Sequence, residues 1–216
     1  MKSKRLYYLE RIAQILFDSP EPDLKVEQIA GMLGVSKKTI YNHFDSKRSL
    51  VEEVIDFHLM RKIGELRKSI SQVQSPISSL VTVGRIVRVA YNDVVFLAKQ
   101  SGISLQEEIL SKVYHKHLED LVEITQFLFR KGVGMQIFES DINTLAASQI
   151  YLSSLSVVNR HSCLLKASFE TTAQQNTLFY YLLKGYCTGV GLILLREMVD
   201  IKISSDSIKV SSLYAV

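Results

Sequence analysis

Apolar residues recur along most of the chain at the three- and four-residue spacing that gives an α-helix one apolar face. The first such stretch covers residues 4–18 and ends in the segment Asp18-Ser-Pro-Glu-Pro-Asp23, whose two prolines cannot continue a helix. Two shorter helices are predicted at 26–33 and 37–44, with Gly34 between them. The N-terminal part therefore predicts three helices joined by short breaks.

A longer helix is predicted at 46–70, because Ser46 can cap it and an apolar stripe runs along it. Further helices are expected at about 76–99, 104–112, 113–132, 143–162 and 172–199, with breaks at Ser101-Gly102, at Gly132-Val-Gly134 and around Ser168. Residues 201–216 alternate apolar and polar positions, which fits a short hairpin and a frayed terminus equally well. The pattern predicts an all-α fold: a three-helix unit at 1–46, the linking helix 46–70, a larger helical domain at 47–200 and a tail at 201–216.

The segment at residues 26–44 has the pattern of a helix-turn-helix, two short helices that cross steeply. Its inward positions are small or apolar: Ile29, Ala30, Leu33, Ile40 and Phe44. Gly34 can adopt the positive φ that ends the first helix, and the Ser36 hydroxyl can cap the second.

The outer face of the second helix is polar and basic, with Lys37, Lys38, Thr39, Tyr41, Asn42 and His43. Lys37 and Lys38 lie at a helix N-terminus, where the macrodipole disfavours cations, so helix stability does not account for them. Phosphates would account for them, and the hydroxyl and amide groups can donate to phosphates or read base edges. The alternative is a helical hairpin with a solvated polar face.

The run SKKTIYNHFDSKRSL, after three helices and before a long one, resembles the TetR family of transcriptional regulators over about residues 4–66. Arg48 departs from the family, which often has a glutamate there. The resemblance implies binding to double-stranded DNA. Lys37, Tyr41 and His43 would contact phosphates, Lys38, Thr39 and Asn42 would lie nearest the base edges, and Lys47 would hold a phosphate with the backbone amides of the long helix. Lys2, Lys4 and Arg5 would reach the flanking backbone or remain a solvated terminus.

The resemblance also implies a homodimer, whose interface the last two long helices would build. Leu145, Ile150, Tyr181, Val190, Ile193 and Leu194 are among their apolar positions. Gly185 and Gly189 lie four residues apart, which favours close approach of two helices, either across the dimer or within one chain.

The helix at 76–99 would line a pocket for an unidentified small-molecule effector in such a protein. The expected contacts are Arg88, Tyr91, Asn92, Phe96, Gln126 and Tyr151. The aromatic and aliphatic content favours an amphipathic, largely apolar ligand. If Arg85, Arg88 and Asn92 faced inward the ligand would be anionic; a solvated face is the alternative.

Composition agrees with this interpretation. Ten glycines and three prolines are few, which disfavours an all-β fold, and two cysteines are too few for a disulfide framework. The longest charge-free part of the most apolar segment, residues 185–195, is too short for a membrane span, which needs about 20 residues. Residues 1–68 hold 13 Lys and Arg against 10 Asp and Glu, most of the net charge of +4, which hints at an anionic partner.

We therefore expect a cytoplasmic, ligand-responsive, dimeric transcriptional regulator, a repressor that binds a palindromic operator through residues 37–44, with no cofactor, metal or catalytic residue. The alternative is an all-helical small-molecule-binding protein or enzyme with a merely structural N-terminal hairpin. An enzyme has little support: His115 and His117, two apart on a helix, point to different faces and are poor joint metal ligands.

Overall fold

The computed structural model describes residues 4–20, 22–72, 75–102, 107–160 and 172–199. Helices dominate this part of the chain: α1 (Lys4–Asp18), α2 (Val26–Leu33), α3 (Lys37–Tyr41), α4 (Lys47–Gln72), α5 (Pro76–Gln100), α6 (Glu107–Gly134), α7 (Thr144–Arg160), α8 (Thr172–Lys184) and α9 (Gly189–Val199). The predicted all-α fold is confirmed. The break expected around Ser168 and the tail at 201–216 lie outside the described residues.

Two apolar clusters form the core. The N-terminal cluster contains side chains of α1, α2 and α3, the first half of α4 as far as Leu59, and Ala90, Val94 and Leu97 from the second half of α5. The other cluster contains the second half of α4 from Ile63 onward, the first half of α5, and residues of α6 to α9. Helix α5 therefore packs in both clusters, which joins the three-helix unit to the rest of the molecule.

Helix α6 corrects one prediction. The structure has a single helix of 28 residues where the sequence suggested separate helices at 104–112 and 113–132. No glycine or proline occurs between Glu107 and Arg130. Nothing in that stretch interrupts the helical hydrogen bonds, so the two predicted segments are continuous.

The prediction of one helix at 172–199 is also wrong. The chain leaves α8 at Lys184, pairs Cys187 with Phe138 in an isolated antiparallel bridge, and enters α9 at Gly189. The Thr188 N–H donates to the Ile137 carbonyl at 3.0 Å, and the Thr188 hydroxyl accepts from the Gly191 N–H at 3.1 Å, capping α9. This pairing with the segment after α6 has no local signature in the sequence.

Gly185 and Gly189 consequently do not lie on one helix, so the prediction that they share a helix face is wrong. A contact through them across the dimer stays a prediction. Each has open space where a Cβ would be, whereas Gly191 is closely packed: its Cβ would lie 2.0 Å from the Ile137 carbonyl oxygen. The close backbone approach occurs at Gly191, within the chain.

Candidate nucleic-acid interface

The turn between α2 and α3 has the geometry that the sequence predicts. Gly34 adopts φ 68°, and the Val35 N–H donates to the Ala30 carbonyl at 3.0 Å. The Ser36 hydroxyl accepts from the Thr39 N–H at 3.1 Å, which caps α3. Ile40 is fully buried, so α3 is fixed through one apolar side and its other side faces outward.

The predicted DNA contacts lie on that outer side and just after it. Lys37, Lys38, Tyr41 and Asn42 are exposed, and Thr39 and His43 are half-buried. Helix α3 ends at Tyr41, three residues earlier than expected, so Asn42 and His43 lie in the following turn. The His43 ring packs 5.0 Å from the ring of Tyr8 in α1. The described side chains thus present a basic and polar surface.

Lys37 forms an ion pair with Glu27 of α2. Its ammonium also lies 5.7 Å from the centre of the Tyr41 ring. The hydrogen bond between the pair raises the pKa of Lys37, and the same bond lowers the pKa of Glu27. Both side chains are at the surface, so water screens the pair. Sequence reasoning missed Glu27, because a ten-residue separation across a turn carries no recognisable spacing.

Lys47 is the first residue of α4 and is half-buried. The Ser46 hydroxyl accepts from the Ser49 N–H at 3.0 Å and so caps this helix, as predicted. The Lys47 ammonium donates to Oδ1 of Asp23 at 3.2 Å. Asp23 was also missed by the sequence analysis. Each lysine for which the resemblance implies a phosphate contact, Lys37 and Lys47, therefore has a carboxylate partner.

The basic residues at the N-terminus, Lys2, Lys4 and Arg5, do not share one environment. Arg5 binds Glu53 of α4 with distances of 2.7 and 2.6 Å from Nη2 to the two carboxylate oxygens. Its guanidinium lies 5.6 Å from the centre of the Phe44 ring. Arg5 therefore fastens α1 to α4, while Lys4 is exposed and Lys2 lies outside the described residues.

A small cavity of about 30 Å³ lies between α4, α5 and α6. Its lining is almost entirely apolar: Leu59, Lys62, Ile63, Ile86, Val87, Ala90, His117 and Leu121. Ile86, Val87 and Ala90 are the lining residues that α5 contributes. None of the six predicted effector contacts is among these lining residues.

Those six residues have varied environments. Phe96 stacks on Phe17 of α1 at 5.8 Å between ring centres. Tyr151 is buried, and its hydroxyl donates to the Leu80 carbonyl at 2.7 Å. The others are at least partly exposed: Arg88, Tyr91, Asn92 and Gln126. Their role as effector contacts stays a prediction.

Two histidine–carboxylate pairs join α4 to its neighbours beside this cavity. His58 of α4 donates through Nε2 to Oδ2 of Asp93 in α5 at 2.8 Å. His117 of α6 donates in the same way to Oδ1 of Asp56 in α4, also at 2.8 Å. His58 is buried, and its burial lowers its pKa below the ordinary value of 6.5 although Asp93 opposes the shift. These contacts couple the position of α4 to both α5 and α6.

Helices α8 and α9 expose several large apolar side chains at the surface of the single chain. They are Tyr181, Val190, Ile193 and Leu194. Leu145 and Ile150 of α7, which are also predicted for the dimer interface, are exposed as well, whereas Leu152 and Leu155 are buried within the chain. Among the described helices, none is both long enough and apolar enough to cross a membrane.

The chain matches one family model and is similar to two proteins of known function. Residues 22–54 match the family model "Bacterial regulatory proteins, tetR family". The transcriptional repressor KstR2 of Rhodococcus jostii (strain RHA1) is 30% identical over 153 residues, which are 66% of this chain and 72% of that protein. The nucleoid occlusion factor SlmA of Marinomonas sp. (strain MWYL1) is 32% identical over 82 residues, 37% of this chain. That match spans only 42% of SlmA.

Among solved structures, the chain is similar to the transcriptional regulator FadR of Bacillus subtilis, which was crystallised with stearoyl-CoA. The two align with a TM-score of 0.60 over 84% of this chain and 99% of FadR. Their sequence identity is 14%, so this likeness supports the fold alone. The fold it supports is an N-terminal helix-turn-helix domain followed by a larger helical domain.

Proposed function

The chain belongs to the TetR family of bacterial regulatory proteins, and we propose that it acts as a dimeric, ligand-responsive repressor that binds a palindromic operator through α3. The observation that supports this most is the outward basic and polar side of α3, held by the Gly34 turn and the Ser36 cap. The helix macrodipole disfavours cations at this N-terminus, and the pair with Glu27 involves only Lys37, whereas a phosphate backbone accounts for Lys37 and Lys38 together. Such a protein would act in the cytoplasm.

We assign the dimer interface to α8 and α9. One helix-turn-helix contacts too few phosphates for tight binding, and a twofold pair doubles them. Tyr181 and Ile193 are each 59% exposed and Val190 is 61% exposed, an apolar surface that a second copy would cover. The twofold axis would then place two α3 helices at successive major grooves, about 34 Å apart.

The proposed effector is a small molecule with a substantial apolar part. The apolar lining of the cavity between α4, α5 and α6 favours such a ligand, and the similar FadR was crystallised with an acyl-CoA. The cavity holds about one water-sized volume, so binding requires that these helices move apart. Since α4 begins at Lys47, its movement would change the separation of the two α3 helices. The effector shifts this equilibrium only by its differential affinity for the two arrangements.

The test is selection of bound sequences from a random duplex library. We expect a palindrome whose half-sites are about one helical turn, 10–10.5 base pairs, or a multiple of it apart. Tyr41→Ala and Lys47→Ala should each weaken binding to the selected duplex. Lys68→Ala removes one positive charge from an exposed position at the far end of α4 and should leave the affinity unchanged.

The second hypothesis, an enzyme or small-molecule carrier with a structural hairpin, predicts different results. The selection would enrich no sequence. The wild type would bind duplex weakly and independently of salt, and Tyr41→Ala and Lys47→Ala would not change that affinity. Those results would overturn the proposed function.

A further inference from the structure

Asp23 occupies a specific position beside the phosphate-binding end of α4. It has φ 60°, a left-handed conformation that is uncommon for residues other than glycine. Its Oδ1 lies 3.2 Å from the Lys47 ammonium, and the carboxylate is otherwise 68% exposed. An acid at this place faces the region into which a DNA phosphate must come if Lys47 is to bind it.

The end of α5 holds this segment through backbone groups. The Leu24 N–H donates to the Gln100 carbonyl at 2.8 Å. The Gln100 side-chain amide donates to the Ser19 carbonyl at 2.7 Å, so Gln100 contacts the connection between α1 and α2 on both sides of Asp23. Gln100 is 6% exposed, and its two bonds hold the connection between α1 and α2 against the end of α5.

Gly102 completes the contact. It has φ 63°, and a Cβ at this position would lie 1.7 Å from Oδ1 and 2.4 Å from Cγ of Asp23. Asp23 can occupy its observed place only because residue 102 has no side chain. The carboxylate that binds Lys47 is therefore held from α5, the helix that lines the cavity through Ile86, Val87 and Ala90.

We propose that Asp23 competes with DNA phosphate for Lys47 and so lowers the affinity for the phosphate backbone, and that the α5 terminus at Gln100 and Gly102 controls this competition. Non-specific affinity comes almost entirely from phosphate contacts, whereas a specific site adds base contacts. A carboxylate that weakens one phosphate contact in each protomer lowers both affinities but leaves the base contacts unchanged. The acid thus limits retention on non-specific DNA. Movement of α5 changes how firmly the Asp23 carboxylate is held beside Lys47, and so changes how strongly it competes with phosphate.

This inference rests on the proposed function, and it goes beyond it by naming α5 as a second connection to the DNA-binding surface besides α4. Glu27 offers a comparison within the same chain. It pairs with Lys37 in a similar way, but both partners belong to the helix-turn-helix. Removing either Asp23 or Glu27 should strengthen phosphate binding. Substitutions at the α5 terminus should alter only the pair of Asp23 with Lys47.

The experiment measures binding of the full chain to a labelled mixed-sequence duplex of about three helical turns by fluorescence anisotropy over a salt series. Asp23→Asn should bind about three- to tenfold more tightly than the wild type at low salt, and the difference should shrink as salt rises. Gly102→Ala should also tighten binding, because its Cβ displaces the Asp23 carboxylate. Gln100→Leu, which removes the bond to Ser19, tests the same connection without adding strain at φ 63°.

Double variants separate the two parts of the proposal. Adding Gly102→Ala or Gln100→Leu to Asp23→Asn should not increase the affinity for duplex any further. Adding either substitution to Glu27→Gln should increase the affinity by the same factor as it does in the wild type. Far-ultraviolet circular dichroism and thermal unfolding establish that each variant is folded before its affinity is compared. If one of the two substitutions at the α5 terminus fails this check, the other one is used in its place.

Distinct results would contradict distinct claims. Weaker binding by Asp23→Asn would mean that Asp23 orients Lys47 for phosphate instead of competing with it. Equal effects of the α5 substitutions in the Asp23→Asn and Glu27→Gln backgrounds would refute the connection through α5. A wild type without salt-dependent duplex binding would instead overturn the proposed function on which the inference rests.

Discussion

His58 shows how burial sets the acid response of a single residue. Its side chain is 3% exposed, its ring lies 5.0 Å from the Phe17 ring, and it donates to Asp93. Because burial lowers its pKa below 6.5, the unfolded chain binds a proton there more readily than the folded chain does. The free energy of unfolding should therefore fall as pH decreases below about 6.5, by at most about 1.4 kcal/mol per pH unit from this group. Urea denaturation at a series of pH values measures it.

Two variants identify His58 as the source of this response. His58→Gln retains a donor for Asp93 but cannot take up the proton, so its stability curve should be flatter than the wild-type curve between about pH 7 and pH 5. Asp93→Asn removes the carboxylate that favours the protonated His58 ring. It should therefore enlarge the decrease in the free energy of unfolding at low pH. Parallel curves for the wild type and His58→Gln would show that the response arises elsewhere.

At the scale of helices, two glycines have opposite surroundings. A Cβ on Gly84 of α5 would lie 2.3 Å from Cε1 of Phe179 and 2.8 Å from the Tyr151 hydroxyl, both in a packed core. A Cβ on Gly64 of α4 would meet nothing within 4 Å. Gly84→Ala should therefore lower the free energy of unfolding by about 1–3 kcal/mol, whereas Gly64→Ala should raise it by about 0.5–1 kcal/mol. Chemical denaturation of the two variants gives both values.

Equal stabilisation by the two alanines would mean that α5 and α8 can separate at Gly84 without cost. That result would contradict the close packing described for the core. The comparison is controlled internally, because both substitutions add one methyl group to a helical glycine.

The sequence predicts an element well where the cause of its structure is local. Gly34 and Ser36 define the turn and cap of the helix-turn-helix from residue type alone, and both were predicted. The break between α8 and α9 was not, because Cys187 and Thr188 pair with residues about fifty positions away. The acids Asp23 and Glu27 were missed for the same reason, since tertiary structure brings each beside its lysine. The ring that Phe96 stacks on could not be predicted either, because α1 supplies it from a distant part of the chain.

At the scale of the whole molecule, α5 contributes to both apolar clusters, as α4 does. Its first half packs with α7 and α8, and its second half packs with α1 and α4. A displacement of α5 cannot remain within the larger domain, because protein interiors are close-packed and transmit small shifts. Its last residues also hold the connection between α1 and α2. The molecule therefore has a contiguous physical route from the cavity to the proposed DNA-binding surface, through α5 as well as through α4.

The dimer assignment makes a prediction for the assembled molecule. Ile193 of α9 is 59% exposed in the single chain, and Met60 of α4 is 56% exposed. Ile193→Glu would place an unpaired charge in the proposed interface, a cost that a dimer of ordinary size cannot absorb, so the variant should sediment as a monomer. Met60→Glu makes a comparable change outside the interface and should remain dimeric. The monomer should also show about half the slope of log affinity against log salt, because it retains half of the phosphate contacts. A dimeric Ile193→Glu variant with the wild-type slope would exclude α9 from the interface.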